Sequence, residues 1–545
     1  MVKLQEVLNV NYEKSSIYYD KSCYSYGAVF SLAGNLAYAF KKIGLEVQSR
    51  VVVISSPCIE WIICDLACIQ SGITTVPMFH NSSAENLKFQ IENCKAKVMI
   101  LENDEVYERI AEIVDVNGFQ VFFVKKSVKH SHIKTIMELA LSEKSSGYDN
   151  VACVPQSAIA TIIYTSGTSG RPKGVALTFE NLATQMQDIT LCFKEINNTD
   201  VAISVLPFAH IFQRTIVHFF ISRGVTIHIV NDITNVVKHI GRINPTLITV
   251  VPRVLEKIYI RTKNQIAQKP LVVKQFATWI FEKSSKEIIA CGLVWKLFNA
   301  ILFGKVRKIF GHNIRFIVCG GAKISKNQET FFINARLPFF QGYGMTECSP
   351  VIASNHFTSR KNYTVGKPFP SVHVEIQAVD GSNEGEVCVN GDSVFAGYLD
   401  ENGEIKTREN QIFHTADRGF LDSDGFLTIT GRMKETFKNA NGKFVDVLKI
   451  EEMLCEISGI ELACVVAEGR SFTTALLFTQ RTNTHEVMQE VAKINKRLEH
   501  WECVQYVHLT NEKPTAENGI ITPSMKIRRI IIEEKYKQEL DKFYV

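Results

Sequence analysis

Through most of its length the chain alternates short apolar blocks, rich in valine and isoleucine, with longer stretches whose apolar residues recur at helical spacing. Residues 51–55 are one such block, Val-Val-Val-Ile-Ser, too short for a helix and apolar on both faces, which predicts a buried strand. A helical stretch through Trp61 and Leu66 follows, then Gly72 and a second strand at 73–76, completing a βαβ unit. Strand-then-helix passages recur at 159–165, 201–206, 246–251 and 314–319. The last runs into Gly320-Gly321 and then Ser325-Lys326-Asn327-Gln328, which predicts a helix opened by a capping box. Repeated alternation of this kind predicts an α/β fold of parallel β-sheets covered by helices, with ligands bound off the carboxyl ends of strands.

After residue 431 the pattern changes. Residues 434–444 predict a hairpin with Asn441-Gly442 at its turn. A helix at 447–456, strands at 462–467 and 474–479, a helix at 486–500 and a strand at 504–509 follow. The chain divides on this reading into a large domain, 1–431, and a small mobile α+β domain, 432–545, a size that can fold as a unit.

With 46% hydrophobic and 21% charged residues, the composition is that of a globular protein with large cores. The net charge of +5 suits anionic ligands or an anionic membrane surface and carries no signal for nucleic acid. The 14 cysteines include no CxxC pair, which favours reduced core thiols in a cytoplasmic protein over a zinc site. Residues 1–20 lack the apolar block of a signal peptide, and the most apolar segment, 288–304, is short and broken by Lys296 and Asn299, so no transmembrane helix is expected. Between 276 and 310, Trp279, Phe281, Trp295, Phe298 and Phe303 are interleaved with Lys283, Lys286, Lys296, Lys305, Arg307 and Lys308. That mixture fits either a peripheral membrane contact or helices packed on the large domain. Oligomeric state is left open, an oligomer included.

The chemistry concentrates at Thr161-Ile162-Ile163-Tyr164-Thr165-Ser166-Gly167-Thr168-Ser169-Gly170-Arg171-Pro172-Lys173-Gly174. Gly167 and Gly170 let the backbone approach a ligand, Thr165, Ser166, Thr168 and Ser169 supply hydroxyl donors, and Lys173 adds a point charge. This is a polyphosphate site without Walker A spacing. The wording resembles the signature loop of the adenylate-forming superfamily, which includes acyl-CoA synthetases, luciferases and adenylation domains.

Further segments resemble that superfamily in the same order. The resemblance implies that Leu206-Pro207-Phe208-Ala209-His210-Ile211-Phe212 flanks a carboxylate substrate at His210. It assigns Gly320-Gly321-Ala322 and Gln341-Gly342-Tyr343-Gly344 to the walls of an adenine pocket. Thr346 is implied at the nucleotide phosphate and Glu347 at Mg²⁺, a hard cation that takes one or two carboxylates beside a triphosphate. Asp417 is implied at the ribose, although Ala416 stands where the family usually has glycine. Arg432 is implied at the nucleotide, Lys434 at the hinge, Lys526 at the reacting groups and Lys438 at a later thioester step. Residues 206–214, 297–321 and 518–523 are most similar to long-chain fatty acyl-CoA synthetases, though Val447 replaces a common proline. The implied reaction consumes a fatty acid, ATP and coenzyme A with Mg²⁺. Two alternatives stay open: delivery of the acyl group to a carrier-protein thiol, and a non-catalytic acyl- or nucleotide-binding relative.

Overall fold

Alternation within the apolar blocks decides the layering. In the strand Arg50–Ile54, Val51 and Val53 join one core while Val52 and Ile54 join another on the opposite face. In Val201–Ser204, Ala202 and Ile203 divide in the same way. Strands buried on both faces belong at the centre of parallel sheets covered on both sides. The computed structural model describes residues 4, 8, 15–144, 154–166, 172–231, 236–290, 292–322, 324–378, 383–408, 411–433, 436–438, 440, 444–522 and 527–544; at 115–117, 166, 253, 436–438 and 444 it describes only the backbone.

Two large sheets carry the fold. The nine-stranded sheet runs, edge to edge, Lys367–Pro368, Val351–Ser354, Phe339–Gly344, Phe316–Cys319, Leu247–Val250, Val201–Ser204, Thr226–Ile229, Ser16–Tyr19 and Ser22–Ser25. It is parallel from Phe339–Gly344 to Ser16–Tyr19 and antiparallel at its margins. The eight-stranded sheet has Arg50–Ile54, Thr74–Met78, Val98–Leu101 and Gln120–Phe123 in parallel, and Ile159–Ser166 beside Thr74–Met78. Helices Tyr26–Lys42, Ile59–Ser71, Phe179–Cys192 and Ile211–Ser222 fill the core shared by the two sheets. Other helices cover the outer faces, among them Ala84–Cys94 on one sheet and Leu271–Lys286 on the other. A four-stranded antiparallel sheet, Val372–Ala378, Gly385–Gly391, Phe413–Leu421 and Leu427–Arg432, completes this part.

Beyond Arg432 the chain forms smaller sheets with their own cores. Thr436–Lys438 pairs antiparallel with Phe444–Asp446, as the hairpin reading requires; its turn, 441–443, lies outside the described residues. Strands Ile460–Val466, Thr473–Thr479 and Val504–Thr510 make one sheet, with Ala463 and Val465 facing one core and Leu462, Cys464 and Val466 facing another.

Three local expectations are corrected. The strand Ile159–Ser166 is not followed by a helix: the chain turns back into Pro172–Thr178, antiparallel and in register from Thr161↔Leu177 to Ser166↔Pro172, with a register shift between Ile159 and Thr161. Val175 and Leu177 face the shared core while Ala176 faces the outer one, so a strand pairs where a helix was expected. Ser325 accepts from the Gln328 backbone N–H at 3.4 Å, but no return bond from the Gln328 side chain is present among the described residues. The helix expected to reach His500 ends at Asn495, and His500–Glu502 forms a separate 3-10 turn. Among the described residues every cysteine is free, and no helix is long and apolar enough to cross a membrane.

Candidate active site

Strand ends from both large sheets open toward one region. On one side, the hairpin Ile159–Ser166/Pro172–Thr178 places Thr165 opposite Lys173. Gly167, Thr168, Ser169 and Gly170 lie at its tip, outside the described residues, and Ser166 is described by its backbone. Lys173 Nζ stands 5.6 Å from the centre of the Tyr398 ring, within cation–π range. Tyr398 is positioned by edge pairing, opposite Val175, in the strand Gly397–Leu399.

The Tyr398 hydroxyl donates to Glu347 Oε1 at 2.9 Å, so Lys173 and Glu347 meet across one ring. Burial, then the neighbouring Glu347 charge, pushes the Tyr398 phenol well above its ordinary range and keeps it a donor. Glu347 sits on the turn Thr346–Cys348. Its backbone carbonyl accepts from Phe395 N–H at 2.8 Å. Gly344 makes the turn possible: a Cβ there would lie 1.9 Å from the Pro350 carbonyl oxygen, a clash no side chain survives. Met345 N–H closes the loop on that same oxygen at 2.8 Å. Among the described residues the second Glu347 carboxylate oxygen has no protein partner. One carboxylate held at a single oxygen, on the same tyrosine that a lysine overlies, fits a magnesium ion that keeps most of its waters.

A second cluster is also tied together. Tyr343 donates its hydroxyl to Asp417 Oδ2 at 2.6 Å, and Arg432 Nε pairs with Asp417 Oδ1 at 3.0 Å. Burial, then Asp417, raises the Tyr343 phenol well above its ordinary range. The Asp417 N–H donates to Thr415 Oγ1 at 3.0 Å. Ala416 adopts φ +57°, the left-handed conformation that favours glycine, so the expected strain at this turn is present. Glu386 holds the turn, accepting from Ala416 N–H at 2.9 Å while pairing with His414 Nδ1 at 3.0 Å.

Cys319 pairs with Gln341, which sets Gly320, the first residue of Gly320-Gly321-Ala322, beside Gly342. A Cβ at Gly320 would meet the Phe212 ring at 3.4 Å, so the 206–212 segment borders the same glycine. His210 caps the Ile211–Ser222 helix with its backbone alone, and its ring lies edge-on to Phe79 at 5.0 Å. The structure therefore brings Lys173 and Glu347 to the Tyr398 ring, with Thr165 paired opposite Lys173 and Thr346 next to Glu347 in the chain, and joins Tyr343, Asp417 and Arg432 in a second cluster. Lys526 and Lys434 lie outside the described residues, and Lys438 is placed by its backbone on Thr436–Lys438.

A family model described as AMP-binding enzyme matches residues 4–399. The chain belongs to the AMP-binding enzyme family. Asp417, Arg432 and Lys526 lie past the matched residues. Within this AMP-binding family the chain is an adenylate-forming ligase by its relatives. It is 29% identical to the long-chain-fatty-acid–CoA ligase FadD15 of Mycobacterium bovis, covering 92% of this chain and 89% of that one. It is 26% identical to fatty acyl-CoA synthetase B of Dictyostelium discoideum, covering 92% and 82%. Among solved structures, the adenylation domain of a carboxylate reductase from Mycobacterium chelonae matches with TM-score 0.80 at 17% identity, over 100% of this chain and 91% of that one. ATP-bound MatB from Rhodopseudomonas palustris matches with TM-score 0.75 at 18% identity, over 98% and 99%. These likenesses establish the AMP-binding enzyme fold.

Sequence reasoning missed Tyr398, Glu386 and a buried network behind His210. Arg214 and His218 follow His210 on the same face at successive helical turns, and both bond to Asp65. The available signal was charge at i, i+4 spacing in an otherwise apolar helix, facing one aspartate in another apolar helix, Ile59–Ser71.

Proposed function

We propose that the protein joins a long-chain fatty carboxylate to coenzyme A through an acyl-adenylate. In the first half-reaction a carboxylate oxygen attacks the α-phosphorus of ATP, the bond to the bridging oxygen breaks, and pyrophosphate leaves. In the second the CoA sulfur, having lost its proton, attacks the acyl carbonyl carbon, and AMP departs with the electrons of the broken C–O bond.

Two anions must meet in the first step, and their repulsion grows as water is excluded. Thr165, Lys173 and Thr346 are assigned to the phosphates, with the 167–170 loop donating N–H groups. Glu347, oriented by Tyr398, would hold Mg²⁺, which would supply charge that offsets the phosphates. Tyr343 and Arg432 orient Asp417 to accept from the ribose hydroxyls. Lys526 serves acyl-AMP formation, and the hairpin with Lys438 serves thioester formation, after residues 432–545 turn about Lys434. Alternation of this kind lets one small domain offer two prepaid geometries.

The observation that carries the proposal is the meeting of Lys173 and Glu347 across the Tyr398 ring, together with the Tyr343–Asp417–Arg432 cluster. The fatty substrate is supported by the named activities of the relatives above. ATP–pyrophosphate exchange dependent on C12–C20 acids, followed by CoA-dependent release of AMP, tests both steps. Exchange without CoA-dependent thioester would favour a carrier-protein acceptor, and no exchange would leave a binding protein.

A further inference from the structure

The aromatic, basic segment near residue 280 divides into two populations. Phe281, Phe298 and Phe303 are buried in the outer core of the nine-stranded sheet, and Trp295 donates its indole N–H to the Asn334 carbonyl at 2.9 Å. These are ordinary packing residues. Leu271, Val272, Val273, Phe276, Trp279, Ile288, Leu293, Val294 and Leu297 are instead exposed, Leu293 to 84% and Val272 to 79%. Scattered apolar residues on a surface carry no message, but this density within two short helices does.

The two groups belong to opposite faces of the same helices. In Leu271–Lys286, Ala277, Ile280, Phe281 and Ser284 face the core, and Val272, Phe276 and Trp279 stand on the outer face. In Leu293–Phe298 only Phe298 is buried, while Leu293, Val294 and Leu297 point outward. The Trp279 ring stacks with Phe276 at 5.8 Å and meets the buried Phe298 edge-on at 5.5 Å, so the exposed side chains of the two helices flank one contact.

Charge around the patch selects the partner. From Arg261 to Lys308 there are ten basic residues and two acidic ones, Glu282 and Glu287, an excess larger than the +5 of the entire chain. Among the described residues none of the ten basic residues forms an ion pair, and Lys269, Lys274, Lys286, Lys296, Lys305 and Lys308 are exposed. Lys283 lies over the Trp279 ring at 5.6 Å. A self-complementary dimer face would bring these like charges together, whereas an anionic lipid surface satisfies them and receives the apolar side chains between them. We infer that the outer face of Leu271–Lys286 and Leu293–Phe298 docks on anionic bilayers, its axes in the interfacial plane. Short, partly amphipathic helices with a tryptophan at the rim insert to headgroup depth and do not span.

Flotation of the full chain with phosphatidylcholine vesicles, with and without phosphatidylglycerol, tests the inference. The expected result is flotation with anionic vesicles at low salt, weakened by high salt, and quenching of tryptophan emission by brominated lipid that Trp279→Phe diminishes. Val272→Glu with Leu293→Glu should lower partitioning by roughly tenfold or more, and Lys274→Ala with Lys286→Ala and Lys296→Ala should remove the preference for anionic lipid. All these side chains are exposed, and unchanged melting confirms that the variants fold. Flotation of Val272→Glu/Leu293→Glu equal to the parent, or no flotation of the parent at low salt, overturns the inference. So does a parental dimer, seen by light scattering, that the same double variant converts to monomer, since the face would then belong to a second copy. ATP–pyrophosphate exchange with detergent-dispersed acid reports the catalytic reading separately.

Discussion

Arg214 grips Asp65 through two hydrogen bonds, Nε to Oδ2 at 2.8 Å and Nη2 to Oδ1 at 2.5 Å, and the two side chains are 1% and 2% exposed. The same guanidinium donates to Thr161 Oγ1 and Thr75 Oγ1, each at 2.7 Å. Its helix begins at Ile211, the residue after His210, and Thr161 lies on the strand that leads into the glycine loop. One buried cation thus fixes the helix Ile211–Ser222 against the hairpin that carries the glycine loop. Arg214→Met should destabilise the protein by about 3–5 kcal/mol, because the Asp65 carboxylate would stay buried without its partner. Changing both residues together, Asp65→Leu with Arg214→Met, should recover much of that loss in urea unfolding.

The pair also makes a prediction about acid. Burial by itself would raise the Asp65 carboxyl, but Arg214 and His218 outweigh it and hold the group below its ordinary value. A carboxylate with a depressed folded pKa contributes fully above the unfolded value of about 4 and loses that contribution as pH falls toward the folded one. Between pH 7 and 5 the Asp65 contribution should therefore be flat. Below about pH 4 the parent should lose stability more steeply than Asp65→Asn, measured as urea midpoints across the range.

Tyr343 keeps its ring but loses its hold on Asp417 in Tyr343→Phe. The KM for ATP should rise about tenfold, the effect of ~1.5 kcal/mol for a hydrogen bond to a charged acceptor, with little change in KM for the acid. Equal changes for both substrates would mean that Asp417 does not serve the nucleotide.

Tyr398→Phe removes the donor that orients Glu347. The Mg²⁺ concentration for half-maximal exchange should rise roughly tenfold, as it does when partners of metal-binding carboxylates are lost. A rate that falls at every Mg²⁺ concentration without a shift in midpoint would argue for a structural role alone.

Lys526→Ala should slow acyl-AMP formation by ~10²–10³ and leave thioester formation from supplied acyl-AMP intact. Lys438→Ala should do the reverse. Both half-reactions are measured separately by rapid quench, and equal losses in both would remove the case for alternation about Lys434.

The sequence by itself determined the parts that short-range chemistry dictates. Buried strands such as Arg50–Ile54 are legible because both faces are apolar, and the glycine loop stands out by its small hydroxyl-bearing residues and lysine, while Glu347 and Asp417 are singled out by the resemblance to the adenylate-forming family. Tertiary structure decided what depends on partners remote in the chain. The strand Pro172–Thr178 exists because it pairs back on Ile159–Ser166, where local pattern suggested a helix. Tyr398 reaches Glu347 across 51 residues, and Arg214 reaches Asp65 across 149, distances over which spacing along the chain says nothing about contact. The aromatic segment needed the fold most of all: Phe281 and Trp279 are two residues apart, and only packing against the sheet made one core and left the other on the surface.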